Sequence, residues 1–188
     1  IYGMIKYRSL NHHLRIVVLW LMLGLIIEII AKFDNSLNLF VYNIYTVIEV
    51  VLLGYLGYTY VDRRWVMAII IAISCITISY LIISPSKFNS FILGIVSAYI
   101  IVICLCALKE IREWDEYDLF DIPDFIIIGS ILGYYCTSLL VFILNDLFIN
   151  NEQGLIFIWS MNAILNALFN VLITFGLWKV LMKRRLTS

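Results

Sequence analysis

The sequence is poor in charged residues, and the charges it has are balanced. Asp, Glu, Lys and Arg make up 14% of the 188 residues, with 13 basic side chains against 13 acidic ones. A soluble domain carries about 25% charged residues, and a nucleic-acid-binding domain shows a basic excess. We therefore expect no nucleic-acid partner, and the sequence lacks the polar residues that would cover a water-exposed surface.

Residues that commonly carry enzyme chemistry are also scarce. His12 and His13 are the only histidines, and they precede the first long apolar run, so a bis-histidine haem or a histidine metal centre has no ligands within the apolar runs. The sequence has no nucleophile-elbow, zinc-protease or phosphate-loop motif. We therefore expect no catalytic residues, no cofactor, no metal and no enzymatic activity.

Apolar residues dominate what is present. They account for 63% of the chain, against about 45–50% in an ordinary soluble domain. Since about 20 apolar residues in a helix cross a 30 Å hydrocarbon core, and an unpaired backbone amide is costly in lipid, the long apolar runs predict transmembrane helices. The sequence predicts an all-α polytopic transmembrane helical bundle, a single domain over residues 1–188 in the lipid bilayer. Its six spans are 14–33, 39–60, 65–83, 88–108, 125–148 and 155–181.

The distribution of Lys and Arg predicts the orientation. If the residues before Leu14 are cytoplasmic, every basic residue except Lys32 and Lys87 falls on the cytoplasmic side. Such a bias is typical of cytoplasmic loops. We therefore expect a cytoplasmic C-terminus. We also expect the apolar Ile1 to Ile5 to be the inner end of a seventh helix, most of which would precede Ile1.

Glu49 is the most informative polar residue within an apolar run. An acid at the centre of a membrane helix costs roughly 2.5–3.5 kcal/mol, so Glu49 is expected to face the bundle interior with a partner. Asn38, Tyr42, Tyr45 and Glu49 follow the helical spacing i, i+4, i+7, i+11, which favours an access path that ends at Glu49. A proton site, a ligand anchor, a switch and an assembly contact all remain open.

The sixth run carries a second polar stripe. Asn162, Asn166 and Asn170 recur every four residues. We expect Asn166 to reach Glu49 directly or through one water, near Tyr134 or Thr137. The alternative is that the asparagines only hold helices together. The predicted midplane polar site comprises Glu49, Asn166, Asn162, Asn170, Tyr45, Tyr134 and Thr137.

The longest polar segment lies between the fourth and fifth runs. It is rich in acids with interleaved aromatic residues, a composition that suits the membrane surface. We favour a protein-partner surface over a cation site, because a membrane enzyme of that kind pairs carboxylates from different helices. The predicted partner surface comprises Asp115, Glu116, Asp118 and Asp121.

Three segments carry a resemblance to a known group. They are Asn38 to Glu49, the tetrapeptide Ile122-Pro123-Asp124-Phe125, and Trp159 to Asn166. In these segments the chain resembles uncharacterised multi-pass membrane proteins of Bacteroidetes-type bacteria. The resemblance implies a six- to seven-helix protein of the bacterial inner membrane. That group has no established activity that could be transferred to this chain.

Two functions remain in competition. With only short loops, the chain would act as a non-enzymatic sensory, signalling or accessory subunit that works through a protein partner in the membrane or cytoplasm. Alternatively, it would carry a small solute or couple transport to protons at a midplane site around Glu49. The sequence leaves the oligomeric state open.

Overall fold

The structure is a computed structural model that describes residues 10–33, 38–61, 64–83, 90–114, 122–148 and 151–187. Within these ranges all regular secondary structure is α-helical, which confirms the all-α prediction. The six helices are α1 (His12–Phe33), α2 (Asn38–Val61), α3 (Arg64–Ile83), α4 (Ser90–Trp114), α5 (Pro123–Leu147) and α6 (Glu152–Thr187).

Each predicted apolar run corresponds to one helix, and the differences lie at the ends. Pro123 begins α5, where its missing N–H costs no hydrogen bond. Asn151 caps α6 by accepting a hydrogen bond from the Gly154 backbone N–H at 3.0 Å. The fourth helix continues to Trp114 rather than ending near residue 108, because Ile111 in its last turns is still buried.

Five of the helices contain a stretch long and apolar enough to cross a membrane. In α3 the apolar stretch of the described residues, Arg64–Tyr80, is shorter. Such a set of helices fits an integral membrane protein. The five stretches are His12–Ile30, Phe40–Val61, Ser90–Arg112, Pro123–Asn145 and Glu152–Met182.

The helices form two compact units, one within Tyr7–Asn89 and one within Ser90–Ser188. In the first unit α1 packs on α2 and α2 on α3; in the second unit α4 packs on α5 and α5 on α6. Val17 and Val50 are fully buried in the first unit, as are Ile131 and Ile173 in the second. The single domain over residues 1–188 stays a prediction.

Large apolar side chains also cover the outer surfaces of the helices. Ile71, Phe91, Leu140 and Phe157 are all more than half exposed. Water would disfavour such a surface, whereas hydrocarbon accommodates it at no cost. Of the five membrane-length stretches, that of α6 is the most exposed, since 11% of it is buried.

Candidate functional site

The first unit holds a buried polar contact between α1 and α2. The Trp20 indole N–H donates a hydrogen bond to Glu49 Oε1 at 2.9 Å, and the two residues are 5% and 8% exposed. Glu49 is near the middle of α2 (Asn38–Val61), about 17 Å from either end at 1.5 Å rise per residue. The expected burial of Glu49 is therefore found, with an indole as its neighbour.

Trp20 is the residue of this contact that the sequence did not predict. An indole N–H and a carboxyl group both lose free energy when they are buried without a hydrogen bond, and here each satisfies the other. The available signal was the indole itself, because a buried Trp normally finds an acceptor. Helical periodicity shows which face of α2 Glu49 occupies. It does not show which residue of the neighbouring helix lies opposite.

Polar side chains continue from Glu49 towards the end of α1. The Tyr45 hydroxyl lies against Gly24, where an added Cβ would stand 3.1 Å from the Tyr45 oxygen. Beyond it, the Tyr42 hydroxyl lies within hydrogen-bonding range of Glu28. We call Glu28, Tyr42, Tyr45, Trp20 and Glu49 the polar seam.

On the other side of Glu49 the buried side chains of the two helices are apolar. Leu53 and Leu56 follow Glu49 by four and seven residues on α2 and are each 2% exposed. Ile16 and Val17 precede Trp20 by four and three residues on α1 and are buried as well. We call these four side chains the apolar block. They lie on the face of α2 that carries Glu49 and on the face of α1 that carries Trp20.

Polar residues return at the beginning of α1. His12 Nε2 lies 3.2 Å from the Tyr55 hydroxyl, and the two rings meet edge-on with centroids 5.8 Å apart. His13 packs against Tyr60, with ring centroids 5.3 Å apart. The apolar block thus separates these histidine contacts from Glu49.

The second unit carries the asparagine stripe of α6. The side-chain amide of Asn170 donates to Asn166 Oδ1 at 2.8 Å. Asn170 is exposed and Asn166 is half-buried. Asn162 Oδ1 is buried without a hydrogen-bond partner among the described residues.

Tyr134 and Thr137 lie on the neighbouring helix of the same unit. The Thr137 hydroxyl donates to the Tyr134 backbone carbonyl at 2.8 Å, and the Tyr134 ring packs against Tyr135. Gly133 lies against Phe169 and Gly176 against Ile127, so α5 and α6 run antiparallel. In this register Thr137 is at about the level of Asn166.

The predicted midplane site therefore has its members in two units. Glu49 and Tyr45 belong to the first unit, and the asparagines, Tyr134 and Thr137 belong to the second. The contact between Glu49 and Asn166 stays a prediction. The predicted partner surface of Asp115, Glu116, Asp118 and Asp121 lies outside the described residues.

The chemistry of the described site is that of one buried carboxyl group. A carboxyl can accept or release a proton, and the Trp20 N–H donates to it in either state. Within the described ranges, no group of three or more His, Cys, Asp or Glu side chains is placed to hold a metal ion.

Comparisons with protein families, with characterised proteins and with solved structures find no match to this chain.

Proposed function

We propose that the chain is a non-enzymatic multi-pass membrane protein that acts as a sensory, signalling or accessory subunit of a membrane complex. The observation that carries the proposal is the amide pair of Asn166 and Asn170 on α6, in which Asn170 is exposed and Asn166 half-buried. Their hydrogen bond uses the Asn170 nitrogen and the Asn166 oxygen. It leaves the Asn166 amide hydrogens and the Asn170 oxygen for a further partner.

These amide groups lie within a helix stretch in which most side chains are apolar. In hydrocarbon there is no water to satisfy them, and a neighbouring helix is the usual partner of a membrane asparagine. Such contacts contribute about 0.6 kcal/mol on average. A partner helix with amide or hydroxyl groups would therefore be held at this position.

The surroundings of the pair suit close helix packing. Ala163, Ala167, Asn170 and Thr174 are all exposed, and their spacing of four, three and four residues keeps them on one side of α6. Small residues let two membrane helices approach closely. We call these four residues and Asn166 the amide face.

The proposed membrane arrangement follows the charge distribution. All six helices cross the membrane, α3 included, and the C-terminus is cytoplasmic in a bacterial inner membrane. The support is the concentration of Lys and Arg on alternate connections, which leaves Lys32 and Lys87 as the exceptions.

Site-specific photo-crosslinking in native membranes tests the proposal. Ala167 and Leu168 are adjacent and both exposed, yet they point about 100° apart, with Leu168 nearly opposite Asn170. A photoreactive amino acid at 167 is expected to give a protein adduct that Asn170→Leu weakens. The probe at 168 is the control and should react with lipid. Reaction with lipid alone at both positions would contradict the proposal.

The alternative function, a small-solute or proton-coupled transporter, has its own supporting observation. A carboxyl group is held halfway along a membrane-length helix by the Trp20 indole, at the depth where carriers place their sites. Uptake by proteoliposomes should then be abolished by Glu49→Gln and unaffected by Glu110→Gln on α4. Uptake that survives Glu49→Gln would rule out this carboxyl as the transport site.

A further inference from the structure

We propose that Glu49 is a proton-binding site that exchanges with water from one side of the membrane only. That side is the one at which α1 ends and α2 begins, and the polar seam is the route. The proposal does not depend on the amide face, because every residue in it belongs to the first unit.

Exposure decreases along the seam from its outer end to Glu49. Glu28 is exposed, Tyr42 and Tyr45 are half-buried, and Glu49 is 8% exposed. Glu28 lies eight residues from Trp20 on α1, so the route spans about 12 Å at 1.5 Å per residue. It is thus open to the surroundings at Glu28 and closed at Glu49.

The hydroxyl groups on the route can both donate and accept hydrogen bonds. Tyr42 lies within hydrogen-bonding range of Glu28, and the Tyr45 hydroxyl occupies the space that Gly24 leaves on α1. A larger residue at 24 would press on that hydroxyl. Oxygen atoms that donate and accept are what water or a proton needs along a path through apolar surroundings.

In the opposite direction, the buried side chains described on α1 and α2 are apolar as far as the histidine contacts. The Arg15 guanidinium of that stretch donates to the Leu10 carbonyl before the start of α1. Leu53, Leu56, Ile16 and Val17 are buried between Glu49 and the histidine contacts at His12 and His13. A hydrated proton entering this block would lose its hydrogen bonds, at a cost of several kcal/mol. The block therefore closes the second side of the membrane to Glu49.

The exchange step is a simple proton transfer. Hydronium gives its proton to the Glu49 carboxylate, which leaves water and a neutral carboxylic acid; the reverse step returns the proton to water on the same side. The Trp20 N–H donates to Oε1 throughout. The other titratable groups of the seam are Glu28, Tyr42 and Tyr45. Helix α3 also packs on α2, and its titratable residues are Arg64, Cys75 and Tyr80.

Sided cysteine labelling tests the route. The four native cysteines are first replaced, and single cysteines are introduced by Tyr45→Cys and Tyr42→Cys on the seam and by Leu53→Cys in the apolar block. A charged, membrane-impermeant thiol reagent is applied to sealed right-side-out and inverted vesicles. The seam cysteines should react about tenfold faster or more from the α1 C-terminal side, and Leu53→Cys from neither side.

Two results would overturn the proposal. In the first, the seam cysteines do not react from the α1 C-terminal side, although the variants have the same thermal unfolding midpoint as the parent protein. In the second, the cysteine introduced by Leu53→Cys reacts with the reagent from the opposite side. Since Ala167 crosslinking reports on a different unit, its outcome is independent of this test.

Infrared spectroscopy tests the proton itself. The protonated carboxyl has a C=O band that Glu49→Gln removes, so the band can be assigned to Glu49. A pH step on the seam side of tight vesicles should change this band within seconds, and a step on the other side should not. A band that follows the pH of both sides equally, or of neither, contradicts one-sided exchange.

Discussion

The Trp20 indole N–H donates to Glu49 Oε1 at 2.9 Å across the packed pair α1 and α2. The contact removes two polar groups from hydrocarbon at once, because each supplies the hydrogen bond that the other needs. It also fixes the register of the two helices, since a shift by one turn would separate the pair by about 5 Å. The polar seam and the apolar block are both positioned relative to this contact.

Trp20→Phe should destabilise the protein by about 1–2 kcal/mol, because it keeps most of the ring and removes the buried donor to Glu49. Thermal unfolding in a mild detergent measures the effect. Trp159→Phe is the matched control: its indole is exposed and donates to Asn145 over a longer distance of 3.3 Å. Equal losses of unfolding free energy in Trp159→Phe and Trp20→Phe would contradict the buried contact.

Gly176→Ala should destabilise the second unit by about 1–3 kcal/mol. A Cβ at 176 would stand 2.6 Å from Ile127 Cγ1 and 3.3 Å from the Pro123 carbonyl oxygen, so backbone or a stiff β-branched side chain must move. Gly129→Ala is the control on α5, where a Cβ meets nothing within 4 Å and alanine favours the helix. Equal unfolding midpoints for the two variants would disprove the packing of α5 on α6.

Asn162→Leu should stabilise the chain by about 1 kcal/mol. Asn162 Oδ1 is buried without a hydrogen-bond partner among the described residues, so the substitution removes an unsatisfied acceptor. Unfolding of the purified chain in detergent measures this. A lower unfolding midpoint would mean that Asn162 holds a partner group, as the expected midplane site requires.

The proposed arrangement of six spans predicts where fusion reporters are active. A green fluorescent protein fused after Ser188 should fluoresce in the cytoplasm, and alkaline phosphatase inserted at Ser86 should be active on the other side of the membrane. Because α4, α5 and α6 separate Ser86 from Ser188, an inactive phosphatase at Ser86 together with a fluorescent C-terminal fusion would mean that one of these three helices does not cross the membrane.

The helices could be predicted from the sequence because the apolar runs are long, and both Pro residues and most of the charged residues fall between them. Neighbouring side chains on different helices could not be predicted. Periodicity placed Tyr45 and Glu49 on one face of α2, but only the three-dimensional packing brings Gly24 and Trp20 opposite them. The same limitation applies to Asn166. Which residue of α5 lies beside it follows from the register of α5 and α6, which the contacts of Gly133 and Gly176 set.

The most direct test of the proposed subunit role is the mass of the particle released from native membranes. Native mass spectrometry of vesicles made without detergent should show the chain in an assembly heavier than one copy. Asn170→Leu should release the single chain, whereas Val171→Leu, at the adjacent exposed position, should leave the assembly intact. A native chain released only as a single copy would contradict the account.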